Sequence, residues 1–171
     1  MREQLEQYTP ADAVQEQLRK DFLDRLDAGA TRREDRPSHL TASGVVVDAS
    51  RTRVLLVLHK KVHLWLQPGG HLEDGDTTLA QAALREAVEE TGVPDLRLMS
   101  ELPVHLDRHA GPCGAEHHLD VRFLLEAPDS ALPVVSEESD DVAWFPLDAL
   151  PRQCSPDLEA MLSAALRSLS S

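Results

Sequence analysis

Hydrophobic positions recur along the chain with two periods, and each change of period marks an element. Between Pro10 and Leu26, the residues Ala13, Val14, Leu18, Phe22 and Leu26 recur at helical spacing after a Thr9-Pro10 start, which predicts a helix. Ala28 to Ser38 is polar and Arg-rich and reads as a linker. From His39 the pattern becomes that of strands. Thr41–Asp48 and Arg53–His59 are aliphatic, β-branched runs around Ala49-Ser50-Arg51, a predicted hairpin. Val62–Leu66 leads into a turn at Gln67-Pro68-Gly69-Gly70. A second helix is predicted from about Thr78 to Thr91, stopped by Gly92. Strands are predicted over Leu96–Leu102, Val104–His109, Glu116–Leu125 and Val142–Pro146, with a turn at Ala110–Ala115 around Gly111, Pro112 and Gly114. Ser155-Pro156 opens a closing helix, Asp157–Leu169, with Leu158, Met161, Leu162, Ala165 and Leu169 inward. The pattern is of the α/β (α+β) class: an N-terminal helix and linker over residues 1–38, then one β-rich domain over 39–171. The first helix is expected to pack on that domain rather than serve a dimer or a lid, because amphipathic helices mostly bury their stripe locally.

The helix Thr78–Thr91 breaks its own pattern near its end. At about 100° per residue, Glu86, Glu89 and Glu90 project in one stripe, and Leu79, Ala82 and Ala83 lie on that stripe one to two turns earlier. The apolar face therefore runs into three acids, whereas a solvated helix puts its acids on the opposite face. The acids repel one another at i, i+3 and i+4 and sit where the helix dipole disfavours negative charge. A hard cation offsets all three penalties, and oxygen ligands of this kind suit Mg²⁺ or Mn²⁺. The competing reading is an ordinary acidic helix end with Arg85 paired to Glu89.

The stretch from Gly70 to Val93 resembles the Nudix box, the signature of the Nudix hydrolases. Arg85-Glu86-Ala87-Val88-Glu89-Glu90-Thr91-Gly92-Val93 matches the second half of that pattern, with Ala87 small for its apolar position. The first half departs from it. Asp76 stands where the family has Glu, and eight residues separate it from Arg85 where the family has seven. This reads as a one-residue extension at the start of the helix, with Asp76 or Thr77 near the N-cap. The resemblance implies the Nudix fold, a mixed sheet between helices, and hydrolysis of a nucleoside diphosphate linked to a group X. It implies a divalent metal, Mg²⁺ or Mn²⁺, held by Glu86, Glu89, Glu90 and the Gly70 carbonyl. Glu86 and Glu89 would be catalytic, with Arg85 orienting a carboxylate of the box rather than gripping phosphate.

Outside the box, alternation places His105, Asp107 and His109 on one face of one strand, and Glu116, His118, Asp120 and Arg122 on one face of the next. His117 is expected to face the core with Leu119, Val121, Phe123 and Leu125. The polar faces read either as a substrate-phosphate or second-metal surface, or as a solvated sheet face. No zinc signature of fixed Cys/His spacing occurs. The acidic loop Pro128–Asp141 offers Glu137 and Glu138 as a further ligand or base, a role for which Glu116 and Asp120 also qualify. Trp65 reads as a core residue rather than a stacking platform.

Composition narrows the function further. A net charge of −13 argues against binding a nucleic acid polymer, but not against a small phosphorylated substrate whose charge a metal can meet. No apolar run approaches a membrane span, the first residues carry no apolar signal core, and two cysteines give no disulfide framework, so a monomer or homodimer in the cytoplasm is expected. Two other readings stay open. One is a Nudix-fold nucleotide sensor without turnover, which would have no need of the acids. The other is a different reaction on a diphosphate, such as isoprenoid isomerisation. Cys113, in a Gly-Pro-Cys-Gly turn, has no activating base beside it in sequence.

Overall fold

The computed structural model of the protein describes residues 1–110 and 113–169. In chain order the elements are α1 (Arg2–Gln7), α2 (Ala13–Asp27), β1 (Ser38–Asp48), β2 (Arg53–His59), β3 (Trp65–Leu66), β4 (Gly69–His71), α3 (Leu79–Thr91), β5 (Arg97–Leu98), β6 (His105–His109), β7 (His117–Ala127), β8 (Ser139–Pro146) and α4 (Leu158–Ser168). The strands form one mixed sheet with the path β3-β2-β1-β7-β5, to which β4 adds on β1, β6 on β7 and β8 on β2. Among the strand-to-strand pairings described, only β1–β7 is parallel, and it runs from Ser38↔His117 to Asp48↔Ala127; one isolated parallel bridge joins Trp65 to Cys154. This is the mixed sheet between helices, of the α/β class, that the sequence resemblance implied.

Alternation along the two central strands sorts the core. Leu40, Ala42, Leu119, Val121 and Phe123 point to the face covered by α1, α2 and α3. Val45, Val47 and Leu124 point to the other face, beneath Leu158, Met161, Leu162 and Ala165 of α4. Ala87 is fully buried, and a Cβ built on Gly44 of β1 would lie 3.1 Å from its Cβ and run into Leu125. The small residue at this box position is therefore required by the close approach of α3 to β1. Trp65 packs edge-on against Phe145, with ring centroids 4.7 Å apart, in the cluster beneath α4.

The structure corrects several sequence expectations. The N-terminal segment holds two helices, and Leu5, Tyr8 and Phe22 join the same core cluster as Leu79 and Phe123. Ala13 and Val14 are exposed, while Gln15 is buried in their place. Its amide donates to the Leu106 carbonyl and accepts from Leu106 N–H, so a polar side chain there completes the edge of β6. Gln4 accepts the otherwise unpaired N–H of Leu79 at the start of α3. His117, expected in the core, is exposed at the mouth of β7. The strand expected over Leu96–Leu102 is reduced to β5. Gly111 and Pro112, part of the predicted turn, lie outside the described residues.

Because Phe22 is fully buried against the sheet, Phe22→Ala is expected to lower stability by about 3–5 kcal/mol. Urea denaturation reads this as a lower midpoint. An unchanged midpoint would mean that α2 does not dock in solution.

Candidate functional site

The box helix is held by local chemistry that the sequence announces. The Thr78 side chain accepts from Gln81 N–H and is the N-cap, two residues beyond Asp76. Asp76 is thereby freed for another partner. It accepts from Arg85 Nη2 at 2.9 Å and Nε at 3.2 Å, and from Glu73 N–H. The guanidinium also meets Glu86 at 3.0 Å, Glu89 at 3.1 Å and the His71 carbonyl at 3.0 Å. Asp76 thus pairs with Arg85 despite its shorter side chain and the extra residue between them. Burial pushes the Asp76 carboxyl up, but Arg85 outweighs it and holds the group below the usual range. Gly92 closes α3 in the left-handed region at φ 66°.

The helix end approaches the β4 turn from behind. Glu90 is buried and accepts from Gly69 N–H at 2.9 Å. A Cβ on Gly70 would lie 2.7 Å from the Glu86 carboxylate, so only glycine allows that approach. Burial pushes Glu86 up to about 7, against the opposing pull of Arg85. Burial pushes Glu90 up to about 8, with the charge of Glu86 adding to it. Glu89 is exposed. The acidic loop reaches the same place. Val134 N–H donates to the Thr91 carbonyl at 2.7 Å and docks the loop on the end of α3. The negative charge of Glu138 then acts on both Glu86 and Glu90. The backbone carbonyl of Glu137 in the same loop accepts from Lys60.

The predicted polar faces of β6 and β7 do come together, by the pairings His105↔Arg122, Asp107↔Asp120 and His109↔His118. The β7 side is not a solvated face, whereas His109 at the end of β6 is exposed. Asp120 and Arg122 are almost fully buried, and His118 nearly so, because β1 and the start of α4 cover them. Asp120 takes hydrogen bonds from Ser43 at 2.6 Å, Thr41 at 3.2 Å, Gln67 at 3.2 Å and Arg122 at 2.9 Å. Arg122 also meets Asp107 at 3.2 Å and Asp157. Burial alone would raise Asp120, yet Arg122 and these donors hold it below the usual carboxylate range. Asp120 is thus saturated as an acceptor, which removes it as a candidate base. Glu116 lies outside β7 and is exposed, apart from the network. His105 sits beside Gln15 and Arg122, and burial lowers its pKa. His109 stacks toward His118, and its bond to Asp107 raises its pKa despite burial.

Sequence reasoning missed Ser43, Gln67 and Asp157, which join this network, and His39 and His71, which gather with His118 and Cys113. Alternation along β1 was the available signal: His39, Thr41 and Ser43 form a polar stripe opposite Leu40 and Ala42. A cavity of about 280 Å³ between α2 and β7, lined by Asp21, Arg25, Ser38 and His117, lies apart from the box.

A family model described as the NUDIX domain matches residues 37–165. Among solved structures, a C. elegans Ap4A hydrolase binary complex superposes with a TM-score of 0.65 at 19% identity, covering 77% of this chain and 97% of that one. A Nudix-family hydrolase from Clostridium perfringens gives 0.65 at 25% identity, with the same coverage of 77% and 97%. The NUDIX domain of Shewanella oneidensis NrtR complexed with ADP ribose gives 0.55 at 22% identity, covering 85% and 97%. No curated protein matches the chain in sequence.

Removing Arg122 leaves buried carboxylates without their cation, and Arg122→Leu is expected to cost about 3–5 kcal/mol at neutral pH. The folded pKa of Asp120 lies below its unfolded value, so its contribution is present above about pH 4 and is lost as pH falls through the folded value. The stability gap between wild type and variant should therefore narrow on acidification below about pH 4. Unfolding curves across pH check this, and a gap independent of pH would refute the pairing.

Proposed function

The chain belongs to the Nudix family and is a hydrolase of that type, and from this premise we propose that it uses Mg²⁺ to cleave the phosphoric anhydride bond of a nucleoside diphosphate linked to a further moiety. The observation that carries this reading is the half-buried Glu86 and the buried Glu90 behind the Gly69-Gly70 turn. Burial raises the two carboxyls to about 7 and about 8, and a divalent cation beside them would favour their charged forms at neutral pH. The donors suit a hard ion: carboxylates of Glu86, Glu89 and Glu90 and the backbone carbonyl of Gly70, with Mn²⁺ an acceptable substitute. When bound, the cation supplies charge neutralisation to the diphosphate and lowers the pKa of water.

The chain's own residues do the rest. Arg85 is committed to Asp76, Glu86, Glu89 and the His71 carbonyl, so it holds the carboxylates in place and has no free edge for phosphate. Glu86 and Glu89 are the catalytic acids of the box, and proton removal from the attacking water belongs to the coupled carboxylate cluster. Glu138 joins that cluster from the docked loop, in preference to Glu137. His105 and His109 share the sheet face of Asp120 and Arg122, opposite the face that α3 covers, so they are not assigned to the substrate. The net charge of −13 favours a small substrate over a polymer. The similarity to the C. elegans Ap4A hydrolase and to the ADP ribose-bound NrtR domain supports the nucleotide class and leaves the second moiety open.

With Mg²⁺ and a panel of nucleoside diphosphate compounds, wild type should cleave at least one. Glu86→Gln and Glu90→Gln should each lower kcat by about 100-fold or more while the melting temperature holds or rises, since a buried charge is removed. Removing the metal with a chelator should abolish turnover, and Mg²⁺ should restore it. Full turnover in Glu90→Gln would refute the reading.

A further inference from the structure

We propose that His39, His71, Cys113 and His118 form a second metal site, for one Zn²⁺ per chain, separate from the carboxylates of the box. Four segments meet there: β1 brings His39, β4 His71, the loop before β7 Cys113, and β7 His118. One ligand atom from each lies within 4.8 Å of the others. Cys113 Sγ is 3.1 Å from His118 Nε2 and 3.7 Å from His39 Nε2. A tetrahedral zinc with bonds of about 2.0–2.3 Å separates its ligands by roughly 3.4–3.8 Å, so small side-chain shifts close the set.

The hydrogen bonding leaves the donors free. His39 Nδ1 lies 3.2 Å from the Asp35 carbonyl, which can only accept, so the proton sits on Nδ1 and Nε2 presents its lone pair to the cluster. A carbonyl behind an imidazole is the usual support of a metal ligand. His71 Nε2 is buried without a hydrogen-bond partner among the described residues. A single S–H serves one acceptor, and His71 Nε2 is left without a partner among the described residues. A cation shared by all four removes that deficit.

The chemistry of the donors selects the metal. One thiolate and three imidazoles suit zinc, whereas the oxygen set of the box suits magnesium. Binding converts the Cys113 thiol to thiolate and releases one proton to solvent. With four protein ligands the site is closed, so its role is to fasten β1, β4, β7 and the Cys113 loop together. His71 directly follows Gly70, and its carbonyl accepts from Arg85, so this fastening steadies the turn against which Glu86 and Glu90 rest.

The test uses untagged full-length protein with excess Mg²⁺ to fill the box. Elemental analysis should find one Zn²⁺ per chain. Replacement by Co²⁺ should give a tetrahedral visible spectrum with a thiolate-to-cobalt charge-transfer band. Cys113→Ser should abolish that band, His118→Ala should weaken Co²⁺ binding by more than the ~10–100-fold that loss of a supporting group costs, and Glu90→Gln and Cys154→Ser should leave both unchanged. Should Cys113→Ser fail to fold, wild-type protein decides the matter, because Zn²⁺ should slow alkylation of Cys113 and spare that of Cys154. A band that survives Cys113→Ser, or alkylation of Cys113 indifferent to Zn²⁺, would overturn the proposal.

Discussion

The parallel ladder between β1 and β7 is the constraint on which the rest of the structure depends. It aligns His39 with His118, Thr41 with Asp120 and Ser43 with Arg122 on one face. On the other face it sets Leu40, Ala42 and Gly44 beside Leu119, Val121 and Phe123. A slip of one residue would exchange the two faces and bury the polar stripe under α3. The apolar face seats α3 closely enough that only Gly44 and Ala87 fit between strand and helix. The polar face closes over Asp120 and Arg122, and their pairing makes burial tolerable. Both the position of the box helix and the position of the histidines follow from this one register.

At the box, like charges are brought together by geometry rather than by attraction. The αL turn at Gly92, the Thr78 cap and the Gln4 contact set the ends of α3. Arg85 then holds Asp76, Glu86 and Glu89 in a fan. Glu90 points instead at the N–H of Gly69. Such an arrangement stores repulsion at one place, and structural rules are expected to fail where function lies. The helices before the domain help to bear this load, since Gln4 satisfies the first turn of α3 and Gln15 completes the edge of β6.

Much of this was legible in the sequence, because it rests on local periodicity. The box helix, its αL stop at Gly92, the β1–β2 hairpin, the polar faces of β6 and β7 and the inward stripe of α4 all follow from spacing over a few residues. What was not legible depends on distant pairing. Nothing local says that β1 and β7 run parallel, so the burial of Arg122 between Asp120 and Asp157, far apart in the chain, could not be read. His39, His71, Cys113 and His118 fit no fixed spacing because each comes from a different segment. Gln15 faces inward in place of the apolar Ala13 and Val14 because an amide can satisfy both backbone groups of Leu106, a preference that hydrophobic periodicity does not see.

The central claim is that the buried carboxylates behind the Gly69-Gly70 turn are a seat for a hard divalent cation. The measurement that tests it most directly is Mn²⁺ binding followed by electron paramagnetic resonance, on zinc-saturated wild type and on the doubly substituted Glu86→Gln/Glu90→Gln protein. The account predicts that wild type removes free Mn²⁺ signal, that Mg²⁺ competes it back, and that the substituted protein leaves the signal untouched. Equal Mn²⁺ binding by both proteins would place the cation elsewhere and contradict the account.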